Sequence, residues 1–201
     1  MVTCGVCPVL MRPQMERGLV EGGLARPMPE RRLLEQLILP HYAAQPDLES
    51  VLFVGAEWDT RHYEWTFFPH QQYWTMGWDP LARRFGSRHH LVAPLERLDE
   101  FFPEGALDLI ICDRAYGHGL DSLEQCERAF SHCYACLREG GELVLGWDDL
   151  ARSTALPLED IDSLRRFTRR PFPPFGTWRV RTPTRDAHTY DFYLKRGAPA
   201  L

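Results

Sequence analysis

No apolar run in this 201-residue chain approaches the ~20 residues that a membrane-spanning helix needs, so no membrane partner is expected. Positive charge is also scarce. A formal net charge of −5 at pH 7 argues against a broad footprint on a nucleic-acid backbone. The arginines at 165, 166, 169 and 170 then read as a solvated face. The first residues lack a basic region followed by a long apolar core, so a secretory signal is not expected and the expected location is cytoplasmic. Internal repeats and low-complexity segments are missing too. The length suits one domain with a full core and is too short for two of ordinary size. The oligomeric state stays open.

Cysteine is present but in a pattern that resists its first interpretation. Two CxxC pairs, Cys4/Cys7 and Cys133/Cys136, make a zinc pattern on paper. The second pair, however, sits in DSLEQCERAFSHCYACLREGG, where Leu123, Cys126, Phe130, Cys133, Tyr134 and Leu137 share one face at helical spacing. A CxxC that closes on a metal usually lies on a turn. Cys126 and Cys133 are therefore expected as small core residues, and no metal site is expected.

What is there begins after a loose start. Residues 1–28, rich in Gly, Pro and Met without a sustained period, predict a flexible arm, and 29–201 a single α/β domain. PERRLLEQLILP predicts a short helix that stops before Pro40. Three apolar runs follow, VLFVG (51–55), LDLIIC (107–112) and ELVLGW (142–147), apolar at nearly every position as strands buried on both faces are. YWTMGW (73–78) and HHLV (89–92) are weaker strand candidates, and helical segments are expected near 60–67, 80–86, 94–102 and 121–138. Asp121 with Glu124 forms a capping-box pattern for the last helix, and Gly140–Gly141 marks its end. Leu158, Ile161, Leu164 and Phe167 suggest one further helix. TWRVRT and HTYDFYLKR then read as two strands with no helix between them. The expected fold is α/β: a doubly wound, mostly parallel Rossmann-like sheet ending in an antiparallel hairpin.

In such a sheet, ligands sit beyond the carboxyl ends of the strands where strand order reverses. The residues just past each strand are Gly55 to Thr60, Asp79 and Pro80, Ala93 to Leu95, Asp113 to His118, and Trp147 to Asp149. Asp79 follows an apolar and aromatic strand 24 residues after Gly55, a place from which a carboxylate can accept hydrogen bonds from both hydroxyls of a ribose. It can equally cap the helix after Pro80.

The order VLFVG…TMGWDP, ALDLIICDRAYGHGL, CLREGGELVLGW resembles the class I S-adenosylmethionine-dependent methyltransferases over about Val51 to Trp147. LREGG is similar to that family's L-(R/K)-P-G-G turn. The resemblance implies S-adenosyl-L-methionine as cofactor, with Gly55 and Ala56 approached by its amino-acid end and Asp79, followed by Pro80, at its ribose. It further implies Pro94 and Leu95 beside the adenine, and Asp113 to Tyr116 facing the methionine portion. The family's loop tends to read G-x-G-x-G, and the corresponding slots here hold Gly55, Glu57 and Asp59. Glu57 can meet the cofactor's ammonium or block the pocket. The acidic residue often found after the third strand is Ala93 here.

His118 is the best candidate base, since it follows the fourth strand and an imidazole titrates near neutrality; a loop histidine tying backbone groups together is the rival. Trp58, Trp147, His188 and Tyr190 are candidates for the substrate pocket, although HTYDFY also alternates as any half-buried strand would. Trp65, Phe67, Trp74 and Trp78 add aromatics that line pockets or fill cores. The function these features imply is methyl transfer to a small-molecule acceptor. The rival is a non-catalytic relative that binds the cofactor or a partner.

Overall fold

Strands that are apolar at every position need cover on both faces, and the fold supplies it. The structure, a computed structural model, describes residues 30–58, 60–149, 156–184 and 187–197. The arm expected over 1–28, Cys4, Cys7 and Asp59 lie outside the described residues. Eight strands form one sheet: β1 Ser50–Val54, β2 Gln72–Gly77, β3 His89–Val92, β4 Leu107–Asp113, β5 Leu137–Asp148, β6 Thr168–Arg169, β7 Arg179–Arg181 and β8 His188–Leu194. The order is β3-β2-β1-β4-β5-β8-β6, with β7 also paired to β8. The first five run parallel, and β8 is antiparallel to β5, β6 and β7. The expected sheet and its antiparallel end are both present. β6, two residues long, had no signal in the sequence.

Alternate residues of the central strands enter two cores. Leu52, Val54, Ile110, Cys112, Leu143 and Leu145 face the helix α4 (Leu123–Cys136) and the turn of 3-10 helix Leu95–Glu100. Val51, Phe53, Leu109, Ile111 and Val144 face the other way, onto the N-terminal helix and α3 (Tyr63–Phe67). Cys126 and Cys133 are buried in the first core, as expected. β8 departs from the half-buried reading: six consecutive residues from His188 to Tyr193 are buried, because strands flank it on both sides and both faces are covered.

Three further local expectations are corrected. The N-terminal helix runs through Pro40: α1 Glu30–Leu33 passes into a π-helical segment Leu34–Ile38 and then α2 Leu39–Ala43. The N–H of Leu39 donates to the Leu34 carbonyl, five residues back. The wider turn admits a proline that has no N–H to give and would crowd a regular α-turn. The cap of α4 is Ser122 with Gln125, one residue beyond the expected pair, and α4 ends at Cys136, four residues before Gly140. The segment expected as one helix after Leu158 is a 3-10 turn, Leu158–Asp160, and the short α5, Asp162–Arg165, with all four marker residues buried.

Candidate active site

Strand order reverses between β1 and β4, which are neighbours although the chain visits β2 and β3 between them. Beyond their carboxyl ends lies a cavity of about 810 Å³. Gly55, Ala56, Glu57 and Trp58 bring the loop after β1 to it, Asp79 the end of β2, Pro94 and Leu95 the end of β3, and His118 the loop after β4. These eight sequence candidates are thus brought together. Pro80, Asp113, Tyr116, Trp147, His188 and Tyr190 do not line the cavity. Of the other aromatics, Trp78 lines it and is exposed, Trp65 is exposed elsewhere, and Phe67 and Trp74 pack into the cores.

Each loop has a local reason for its shape. Gly55 has φ +103°, and a Cβ there would overlap the carbonyl oxygen of Asp113 on β4, so glycine is required by the approach of two strands. Glu57 has no such constraint: it is not among the described residues with positive φ. Thr60 closes the turn, its Oγ1 accepting from the Glu57 N–H at 3.0 Å and donating to the Glu57 carbonyl at 3.0 Å. The Glu57 carboxylate lies 3.6 Å from Arg31 of α1. Asp79 does cap the 3-10 helix Pro80–Phe85, Oδ1 accepting from the Leu81 N–H at 2.8 Å. Ala93 is buried in the cavity wall, and Glu96, three residues on, lines it instead as the nearest acid of that segment.

Tyr116 is buried, with its hydroxyl donating to the Leu156 carbonyl, and burial pushes its pKa up to about 12. Its ring meets Trp147 edge-on, 6.2 Å between centroids. Both pack with the core cluster under α4 and neither lines the cavity. Arg114 lines the cavity with φ +55°, a backbone conformation uncommon for a side-chain-bearing residue.

His188 has no exposed surface. Its Nδ1 lies 2.5 Å from Asp148 Oδ1 and its Nε2 3.0 Å from Asp113 Oδ1. Burial alone would lower the imidazole pKa; the hydrogen bonds and charges of Asp113 and Asp148 outweigh it and hold the value above the usual 6.5. Burial would likewise raise Asp148, but His188 keeps it below the usual carboxylate range. The second oxygen of Asp148 reaches 3.4 Å from His118 Nε2, and both Asp148 and His118 line the cavity. Sequence reasoning placed Asp148 at a strand end without a role. The one signal for it, its pairing with His188, exists only once β5 and β8 are in register.

Among the described residues no group of three or more His, Cys, Asp or Glu is placed to hold a metal ion, and no helix is long and apolar enough to cross a membrane.

No protein-family model matches the chain, and no curated protein matches it. Solved structures do. The N-methyltransferase NodS from Bradyrhizobium japonicum WM9 superposes with a TM-score of 0.64 at 17% identity, covering 84% of this chain and 97% of that one. Its complex with S-adenosyl-L-homocysteine gives 0.61 at 18% identity over 84% and 88%. TrmN from Thermus thermophilus gives 0.60 at 19% identity, covering 82% of this chain and 48% of that one. At these identities the likeness is one of fold: the chain has the class I S-adenosylmethionine-dependent methyltransferase fold.

Proposed function

We propose that the protein transfers a methyl group from S-adenosyl-L-methionine to a small-molecule acceptor. The observation that carries this is the position of the cavity: about 810 Å³ at the switch point between β1 and β4 of a methyltransferase fold, toward the upper end of the size of small-ligand sites.

The residues present suit such a cofactor. Leu81, Phe85, Ala93, Pro94 and Leu95 give an apolar wall for a flat base, and Asp79 keeps Oδ2 for ribose hydroxyls after giving Oδ1 to its cap. Glu57 and Glu96 add negative charge that favours a ligand carrying an ammonium and a sulfonium. The cofactor supplies an electrophilic methyl group. The chain's part is to exclude water, hold the acceptor's nucleophile in line, and take its proton on His118. Gly55, Ala56, Asp113 and Tyr116 shape the floor and rear of the site. In this proposal Trp58 and the neighbouring Trp78 form the rim over which a small acceptor enters, with Trp147, His188 and Tyr190 behind it.

The test is calorimetric titration with S-adenosylmethionine and S-adenosylhomocysteine, followed by a screen of phenols, carboxylates, amines and thiols with radiolabelled methyl donor. Saturable binding of both and transfer to at least one class are expected. Absence of binding would remove the proposal. Tight binding without any transfer would favour a non-catalytic cofactor-binding protein, a reading supported by the Glu57 side chain in a slot where glycine is usual.

A further inference from the structure

At the cavity wall, the carboxyl ends of β4 and β5, the amino end of β8 and the loop after β4 put four side chains in a row: Asp113, His188, Asp148 and His118. The two ring nitrogens of His188 face one carboxylate each, at 3.0 Å and 2.5 Å. Ionised carboxylates only accept hydrogen bonds, so both nitrogens donate and the buried ring is an imidazolium. Two carboxylates against one imidazolium leave the row net negative. His118, half exposed in the cavity wall, lies 3.4 Å from Asp148.

The fold makes room for this row. Gly146 of β5 lies beside it, and a Cβ there would overlap the Asp113 carboxylate and stand 3.1 Å from His188 Nε2 and 2.9 Å from Tyr190 Cε1. The loop after β4 is also held, by the Arg114 N–H donating to the Gly146 carbonyl at 2.9 Å. Arg114, in the same wall, adds a positive charge near Asp148 and brings the formal sum of the cluster to zero. Asp148 therefore acts on His118 through their close contact and not through a net field.

We propose that Asp148 is the positioning residue for His118, that the buried His188–Asp113 pair locks Asp148 in place, and that the cavity therefore serves acceptors whose nucleophilic atom carries a proton, an amine or a hydroxyl. Asp148 accepts the Nε2–H of neutral His118, which fixes the tautomer and leaves Nδ1 with its lone pair free to take that proton. A carboxylate free to rotate would hold this tautomer only part of the time. One tied through its other oxygen to a buried cation is pre-oriented. The choice of acceptor class rests on the methyl-transfer reading, whereas the positioning of His118 does not.

The experiment needs no acceptor. Diethylpyrocarbonate modifies unprotonated imidazole nitrogens, and peptide mass spectrometry reads each histidine separately. His118 is compared with exposed His70 in the same sample, so global effects cancel. In the wild-type protein His118 should react several-fold faster than His70. Asp148→Asn should bring His118 down to the rate of His70. His188→Gln and Asp113→Asn should each give an intermediate ratio with circular dichroism unchanged; Asp113→Asn serves if His188→Gln does not fold. An unchanged ratio in Asp148→Asn would overturn the positioning role. A reduced ratio there, with the wild-type ratio in both partner variants, would overturn the role of the buried pair. Loss of cofactor binding in calorimetry would remove methyl transfer and leave these ratios as they are. An acceptor methylated by His118→Ala at the wild-type rate would overturn the assigned acceptor class.

Discussion

Under the proposed function Asp79 serves structure with one carboxylate oxygen and the ligand with the other. Its Oδ1 caps a 3-10 helix, and asparagine caps as well as aspartate. Asp79→Asn should therefore keep its denaturant midpoint and lose affinity for S-adenosylhomocysteine. Asp79→Ala should lose about 1 kcal/mol of stability with the cap and about 1.5–3 kcal/mol of ligand affinity. Wild-type affinity in both variants would exclude a ribose contact. Glu57 is tested by sign. As a contact to an ammonium group, Glu57→Gln should weaken cofactor binding and Glu57→Gly should not restore it. Its exposed pairing with Arg31 adds little either way. Tighter binding in Glu57→Gly would show that the side chain obstructs the site. Gly55, Asp79 and His118 drew attention in the sequence because each stands within five residues past a strand, and all three line the cavity. Asp148 was not, because its partner lies 40 positions away, on a strand whose register no local pattern announces.

The start of β8 carries a titration with a definite direction. The folded pKa of His188 is raised above 6.5, so the group's stabilising contribution is full below pH 6.5 and is lost as pH rises through the folded value. Asp148 acts oppositely: its value is lowered from 3.8, so its contribution is present above 3.8 and lost as pH falls through the folded value. Urea midpoints should accordingly fall from pH 6.5 upward in the wild-type protein, and this slope should flatten in His188→Gln. A parallel slope in the variant would place the titration elsewhere. At the start of α4, two overlapping pairs, Asp121–Glu124 and Ser122–Gln125, satisfy the same spacing rule, and only the structure shows that the second forms the box. Ser122→Ala should cost about 1 kcal/mol, whereas Asp121→Ala should stay within about 0.5 kcal/mol. The helix through Pro40 misled for a related reason: the π-turn that admits the proline leaves no mark in residue spacing.

For the molecule as a whole, the alternation of apolar runs and helical segments was enough to specify a doubly wound sheet. Burial on two faces writes itself into nearly every position of β1, β4 and the core of β5. What failed to show was β6: two residues are too few for a period to form, and its place depends on β8, whereas β7 lies within the strand read at TWRVRT. A ligand that binds only the folded state stabilises all of it together. S-adenosylhomocysteine at 100 times its dissociation constant should add about 2.7 kcal/mol to the unfolding free energy, read as a rise in the urea midpoint. No rise would mean that the cavity does not take it.

Gly55 would outlive the loss of everything proposed for that cavity. The space a side chain would need there is filled by a neighbouring strand's carbonyl, and the backbone has φ +103°. A library selected for solubility alone should therefore return glycine at 55 and a mixture at 57. Only selection for ligand should narrow position 57. In this chain the glycine at 55 thus answers to the sheet, and position 57 is where selection for a ligand should leave its mark.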